Sequence, residues 1–220
     1  MRLGVYGGTF DPFHNGHRAV VEALLERFRF DRLLLVPANI PPHKRHVAIS
    51  HRCHRVAMTA LATADLDRAV ISTTDLDAPA PSYTVDTVER LHTAIPDSAP
   101  LFFILGADSF EDLPLWHDYL RLIESCHIIV TARPGYDLGA GHLPEAVRAK
   151  IVDLRDVAAS AGPPDTTDAI PKIFLTDDAY IDVSSTMIRE RARAGGSLDG
   201  LVAQSVAAYI RKQELYTETR

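Results

Sequence analysis

The stretch that decides the fold is MRLGVYGGTFDPFHNGH, residues 1–17. The apolar run Arg2–Tyr6 predicts a buried strand, and Gly7 and Gly8 end it without side chains. A helix is predicted to open near Asn15. A strand, a glycine turn and a helix start together form a place where backbone N–H groups can bind phosphate.

Further short apolar runs predict the other strands of a sheet. They are Arg32–Val36, Ala69–Ser72 (the weakest), Leu101–Leu105, His127–Thr131 and Ile173–Leu175. None alternates apolar with polar residues. Continuous apolar strands are typical of a parallel sheet that is covered on both faces.

Amphipathic stretches between these runs predict helices. Ser50 is predicted to cap a helix that ends at Ala64, and Ser185 to cap another. Three apolar stripes lie at helical spacing: His17, Val20, Val21, Leu24 and Phe28; Val85, Val88, Leu91 and Ile95; and Val202, Ser205, Val206, Tyr209 and Ile210. The alternation predicts an α/β fold, a single Rossmann-like, doubly wound parallel-sheet domain over residues 1–220. A short C-terminal helical extension covers about 184–220.

Composition narrows the classes of protein. The chain has 220 residues, 46% hydrophobic, which suits one domain with a full core. A net charge of −6 argues against a nucleic-acid partner, which requires a basic surface. Two cysteines fit a reducing compartment, and neither a signal peptide nor an apolar run of membrane length is visible. We therefore expect a cytoplasmic protein without a membrane partner.

Two histidines stand at the predicted helix opening. His14 and His17 are three residues apart, so both side chains can point at one anion. Histidine suits phosphoryl chemistry because it donates hydrogen bonds and can be cationic near neutral pH. A His-x-x-His pair can also bind zinc, with Asp11 as a third ligand, and this alternative stays open.

Two proline-bearing stretches interrupt the strand–helix rhythm. Residues 37–49 are predicted to form a mobile loop, and residues 158–170 an exposed connection. Lys44 in the first stretch is either a solvated charge or a point charge for a triphosphate. Just beyond it, His51 and His54 flank Cys53 and could bind adventitious metal.

Polar motifs recur where strands or helices begin and end. Ser82–Thr87 opens the third helix, and Asp108 follows the Leu101–Leu105 strand closely, so each could simply be a cap. Trp116, the only tryptophan, is either a core residue or a stacking surface. Arg133 is either a surface charge in a turn or a phosphate ligand.

Taken together, these motifs resemble a known family. Gly7–His17 is similar to the signature loop of the HxGH-type nucleotidylyltransferases, relatives of class I aminoacyl-tRNA synthetases. Within that group the chain resembles the nicotinate-mononucleotide adenylyltransferases, over nearly its whole length. Val183–Arg189 resembles the SSTxIR motif of the family, with Val183 where isoleucine is frequent. His117 departs from the tyrosine that many relatives carry there.

The resemblance implies a role for each motif. The catalytic residues it implies are His14, His17, Lys44 and Arg189. The ATP-binding residues it implies are Gly7, Gly8, Thr9, Phe10, Asp11, His14, His17, Gly106, Asp108, Ser185, Thr186 and Arg189. The mononucleotide-binding residues it implies are Thr84, Trp116, His117, Arg133 and Lys44.

The implied reaction transfers the adenylyl group of ATP to nicotinate mononucleotide, with Mg²⁺ accompanying ATP and no metal held by the protein alone. The expected partners are thus ATP and nicotinate mononucleotide, and a homo-oligomer is compatible with the sequence. The alternatives are transfer to nicotinamide mononucleotide or another phosphorylated acceptor, as in pantetheine-phosphate and cytidylyl transfer. A non-catalytic nucleotide sensor and a zinc hydrolase also stay open.

Overall fold

A computed structural model of the chain describes residues 1–39, 49–79, 81–95, 99–133, 135–136, 138–166, 170–179 and 181–217. The strands are β1 Leu3–Gly8, β2 Arg32–Pro37, β3 Ala69–Ile71, β4 Leu101–Gly106, β5 His127–Thr131, β6 Ile151–Asp153 and β7 Ile173–Thr176. The α-helices are α1 Asn15–Arg27, α2 Arg52–Ala62, α3 Thr84–Ala94, α4 Ala107–Glu111, α5 Tyr119–Ser125, α6 Glu145–Arg148, α7 Ser185–Arg193 and α8 Gln204–Lys212. Short 3-10 helices lie at Leu113–Leu115 and Ala159–Ala161.

The strands form one parallel sheet in the order β3-β2-β1-β4-β5-β7-β6. The strand order reverses beside β1, which pairs with β2 on one side and with β4 on the other. In open α/β sheets, ligands bind at the carboxyl ends of the strands at such a reversal. In this chain those ends are Gly8 of β1 and Gly106 of β4.

Each face of the sheet is covered by its own apolar layer. Phe102 and Ile104 of β4 belong to the layer that also contains residues of α1, α7 and α8. Phe103 and Leu105, pointing the other way, belong to the layer formed with α3 and α5. This two-sided burial explains the unbroken apolar strands and confirms the doubly wound fold.

Every predicted strand is present, with bounds that differ by at most two residues at an end. Strand β6, Ile151–Asp153, was not predicted, because it has three residues, ends in an exposed aspartate and lies at the sheet edge. The stretch 158–170 contains a 3-10 helix in its described part. No helix in the described residues is long and apolar enough to cross a membrane.

Two predicted helix caps were wrong by one residue. His51, not Ser50, caps α2, accepting a hydrogen bond from the Cys53 backbone N–H. Ser184, not Ser185, caps α7, because the Ser185 hydroxyl donates instead to the Pro12 carbonyl. In both cases a tertiary contact holds the residue that was predicted as the cap.

A substitution at Gly8 tests how tightly the end of β1 is packed. A Cβ at Gly8 would lie 2.5 Å from Cε1 of Phe10, so the Phe10 ring would have to move. We expect Gly8→Ala to lower the free energy of unfolding by roughly 1–3 kcal/mol, the usual cost of overpacking. Gly141→Ala is the matched control, because nothing lies within 4 Å of its added methyl. Equal urea midpoints for both variants would contradict this packing.

Candidate active site

A cleft of about 1070 Å³ opens at the carboxyl ends of β1 and β4. It is lined by every described residue to which the family resemblance gives a catalytic or binding role: Gly7, Gly8, Thr9, Phe10, Asp11, His14, His17, Thr84, Gly106, Asp108, Trp116, His117, Arg133, Ser185, Thr186 and Arg189. Lys44 lies outside the described residues. Residues that sequence reasoning had assigned to two different ligands therefore share one cleft.

The first turn of α1 is closed by its own histidines. The His17 backbone N–H donates to Nδ1 of His14 at 3.3 Å, and the His14 backbone N–H donates to Nδ1 of His17 at 3.2 Å. The two rings stack with centroids 3.6 Å apart. Because each Nδ1 is an acceptor, the proton of each neutral ring is on Nε2.

The charge of His14 differs from the sequence-based expectation. Burial of its side chain, followed by the positive charge of Arg133, lowers its pKa to about 3. His14 is therefore a neutral Nε2–H donor near neutral pH, not a cation. The backbone N–H of Asn15 is also taken, by the Leu201 carbonyl. At the start of α1, the backbone N–H groups of Asn15 and His17 are therefore occupied, and the imidazole edges of His14 and His17 are available to a ligand instead.

Aromatic rings form the wall behind His17. The ring centroids of Phe10 and Phe13 each lie 5.1 Å from that of His17, and the centroid of Tyr6 lies 6.0 Å away. Phe10 has a φ of 50°, a left-handed conformation that is strained for a residue with a side chain. Backbone strain of this kind, at a buried residue beside a histidine pair, is typical of a site that is held rigidly for function.

A buried arginine joins the loop after β1 to the segment between β2 and α2. Arg55 is 2% exposed and donates to the carbonyls of Thr9, Asn39 and Ser50 at 2.8, 3.1 and 3.1 Å. Burial lowers its pKa, while the negative charge of Asp11 opposes that shift. Sequence reasoning missed Arg55, although an arginine on the buried face of α2 was a readable signal.

Asp75 was missed as well, and it organises the start of α3. Its carboxylate accepts hydrogen bonds from the Asn39 backbone N–H at 2.7 Å, from the Thr87 hydroxyl at 2.9 Å and from the Ser82 hydroxyl. Ser82 and Thr87 therefore hold Asp75 and do not cap α3, whose N-cap Tyr83 makes no side-chain cap. As in any helix, the N–H groups of the first turn of α3 lack intrahelical partners. The N-cap side chain does not cap them either, and Thr84 lines the cleft.

Asp108 and Arg133, which follow the neighbouring strands β4 and β5, contact each other in the lining of the cleft. An Arg133 Nη1 donates to Asp108 Oδ2 at 2.7 Å, and both side chains are more than a third exposed. Asp108 does not cap α4, whose N-cap is Gly106. A Cβ at Gly106 would lie 2.7 Å from Asp108 Oδ1, so the glycine makes room for this carboxylate. The regions predicted for the two ligands therefore adjoin.

Trp116 lies partly in the core and partly in the wall of the cleft. It is partly buried, and its ring meets Phe103 edge-on with centroids 6.4 Å apart, so it belongs in part to the core. It also lines the cleft next to His117, whose ring stacks on Tyr83 at 4.1 Å. The Trp116 backbone N–H donates to Leu113, so it is not available to a ligand.

The start of α7 docks onto the signature loop. Arg189 donates through Nη1 to the Asp11 carbonyl at 2.9 Å and through Nη2 to the Thr186 hydroxyl at 3.1 Å. The Ser185 hydroxyl donates to the Pro12 carbonyl at 3.0 Å. A cation on α7 is thereby held against the loop that carries the histidine pair.

The metal alternatives find little support in the described part of the chain. His54 Nδ1 is hydrogen-bonded to the Tyr209 hydroxyl, and His51 Nδ1 accepts from the backbone N–H of Cys53. Zinc at the other pair would have to use Nε2, because the backbone occupies each Nδ1. Among the described residues, no group of three or more His, Cys, Asp or Glu side chains could hold a metal ion.

Comparisons with known proteins agree with this geometry. A family model described as cytidylyltransferase-like matches residues 5–191. The fold is similar to that of a Plasmodium falciparum nicotinic acid mononucleotide adenylyltransferase complexed with NaAD, with a TM-score of 0.73 and 17% identity, over 98% of this chain and 97% of that one. A second structure of that protein, complexed with APC, gives a TM-score of 0.70, with 98% and 96% covered.

The fold and cleft thus define a nucleotidyltransferase of the cytidylyltransferase-like class. The nicotinate-nucleotide adenylyltransferases of Salmonella typhi and Salmonella typhimurium are each 36% identical over 214 residues, 96% of this chain and 97% of theirs. The chain belongs to the nicotinate-nucleotide adenylyltransferase family.

The protonation of His14 can be measured directly in the ligand-free protein. We expect its ring to stay neutral from about pH 8 to about pH 5, with the proton on Nε2, because burial disfavours the charged form. The measurement is the ¹⁵N shifts of both ring nitrogens across that range. A change of the two His14 shifts to those of a charged imidazolium within that range would contradict the structure.

Proposed function

We propose that this protein transfers the adenylyl group of ATP to nicotinate mononucleotide, giving nicotinate adenine dinucleotide and pyrophosphate. One observation carries the proposal: residues matching both ligand sets of the family line a single cleft at the point where the strand order reverses. Membership of the family supports the same reaction. In this reaction a 5′-phosphate oxygen attacks the α-phosphorus of ATP, and pyrophosphate leaves on the opposite side.

The ATP side of the cleft suits an anion that gains charge during transfer. The Nε2–H groups of His14 and His17 come from the same helix turn and can donate to phosphate oxygens. Arg189 adds a fixed positive charge that is already positioned by Asp11 and Thr186. Such preorganised donors stabilise charge in the transition state without moving. Lys44 is proposed as a further phosphate contact by family resemblance alone.

The mononucleotide side suits a pyridine carboxylate and a 5′-phosphate. The uncapped first turn of α3, around Thr84, offers N–H groups and a positive helix end to a carboxylate. Trp116 offers a ring face on which a pyridinium can stack, and the backbone of His117 follows it. Arg133 is proposed to bind the phosphate, which requires it to leave Asp108, and Asp108 is then available to ribose hydroxyls.

The residues that line the ATP side fit a metal–nucleotide complex better than a bare cation. They are mostly hydrogen-bond donors, and donors contact phosphate oxygens. Mg²⁺ is commonly held by substrate phosphates with few protein ligands. We therefore propose that Mg²⁺ enters with ATP and neutralises part of its phosphate charge.

Incubation of the protein with ATP, Mg²⁺ and each candidate mononucleotide tests the proposal. Pyrophosphate and nicotinate adenine dinucleotide should appear in equal amounts, and only when both substrates are present. Binding of nucleotide without pyrophosphate release would indicate a sensor. Hydrolysis that depends on zinc and is not rescued by Mg²⁺ would indicate a zinc hydrolase.

Selection between the two pyridine nucleotides follows from the donors around Thr84 and His117. A nicotinate carboxylate accepts from both, whereas nicotinamide turns an NH₂ group toward one of them. An unsatisfied buried donor costs about 1–3 kcal/mol, and each 1.4 kcal/mol is about tenfold. We expect nicotinate mononucleotide to be preferred by roughly 10²–10³ in kcat/KM at saturating ATP.

Trp116→Ala provides the control for that preference. Both substrates carry a pyridinium ring, so loss of the stacking surface should weaken both with little change in their ratio. Equal kcat/KM values for the two mononucleotides with the unmodified protein would show that these backbone donors do not recognise the carboxylate.

A further inference from the structure

The C-terminal segment reaches the signature loop. Tyr216 follows α8, and its hydroxyl donates to Asp11 Oδ1 at 2.7 Å across 205 positions of sequence. Asp11 is 3% exposed, and the Tyr216 backbone is left-handed, with a φ of 66°. The left-handed backbone and the hydrogen bond to a buried carboxylate of the cleft together indicate a functional role for Tyr216.

Asp11 connects Tyr216 to Arg189. Its Oδ2 accepts from the Ser50 backbone N–H at 3.0 Å, and its own carbonyl accepts from Arg189 Nη1 at 2.9 Å. Each carboxylate oxygen therefore has a donor, and the Arg189 guanidinium can stay on the backbone carbonyl. Whether both oxygens of the Asp11 carboxylate have donors therefore affects the position of the Arg189 guanidinium.

Loss of the Tyr216 hydroxyl would change that balance. A buried carboxylate oxygen without a donor is unfavourable, so Asp11 would recruit another donor. The Arg189 guanidinium already contacts the same residue and can turn toward Oδ1, which would draw it off its present position. Burial, followed by the negative charge of Asp11, raises the pKa of Tyr216, so its hydroxyl remains a donor at working pH.

We propose that Tyr216 is a positioning residue for ATP use, holding Arg189 in the cleft through Asp11. This inference rests on the proposed function, since Arg189 is assigned there to ATP phosphates. Tyr216 itself lies behind the cleft and contacts Asp11 and Met58. Its effect is therefore expected in the use of ATP and not in the use of the mononucleotide.

The test compares two tyrosines of the C-terminal region. Tyr216→Phe removes the hydroxyl that Asp11 uses, and Tyr209→Phe removes a hydroxyl that is hydrogen-bonded to His54 on α2. We expect Tyr216→Phe to lower kcat/KM for ATP about tenfold, the scale of a misplaced contact, with KM for the mononucleotide within about twofold. Tyr209→Phe should leave both unchanged, although each variant loses one hydrogen bond.

A double variant separates positioning from general destabilisation. In an Arg189→Ala background, Tyr216→Phe should lower kcat/KM for ATP no further, because both changes act through the same contact. Additive losses would overturn the proposal, and so would full ATP use by folded Tyr216→Phe.

A replacement variant and the activity of the wild-type protein complete the test. Should Tyr216→Phe not fold, Asp11→Asn replaces it, and an unchanged kcat/KM for ATP would overturn the proposal. A wild-type protein that releases no pyrophosphate would overturn the proposed function itself. Wild-type levels of ATP use in Tyr216→Phe would instead overturn only the role of Tyr216.

Discussion

The reciprocal hydrogen bonds between His14 and His17 are the constraint on which the site depends. They close the first turn of α1 at the carboxyl end of β1, and they commit both Nδ1 atoms to backbone N–H groups. Each neutral ring is left with an Nε2–H donor, and stacking keeps the two rings side by side. The same four-residue segment therefore begins a helix and fixes the direction and proton position of two donors. In the ligand-free protein His14 is neutral, so hydrogen bonding, and not a permanent charge on this ring, is its contribution.

Polar groups, and not only apolar packing, hold the loops around these histidines. Arg55 joins the loops that follow β1 and β2 to the start of α2, and Asp75 joins the loop after β2 to the start of α3. Asp11 brings the signature loop together with α7 and the C-terminal segment. Buried charges of this kind are tolerated because they are hydrogen-bonded on several sides. Their shared effect is to set the shape of the cleft before any ligand enters.

Most of the fold and the membership of the cleft could be predicted from the sequence. Apolar runs without alternation indicated the buried parallel strands, and short motifs at strand ends indicated the residues that line the cleft. The caps at Ser50 and Ser185 could not be predicted correctly, because each serine is engaged by a distant residue. Tyr216 acts through a partner 205 positions away in the chain, which local patterns do not reveal. The pairing of Asp108 with Arg133 likewise depends on two strands being neighbours.

Adenylyl transfer is proposed to be a single in-line displacement, in which the histidines donate hydrogen bonds and form no covalent bond to phosphorus. Preorganised donors and adjoining substrate regions make a protein nucleophile unnecessary. The most direct measurement is the stereochemical course at the α-phosphorus, with one diastereomer of ATP that carries sulfur at that position. A single displacement predicts a dinucleotide with inverted configuration. Retention would indicate two successive displacements through an adenylylated residue and would contradict a single displacement.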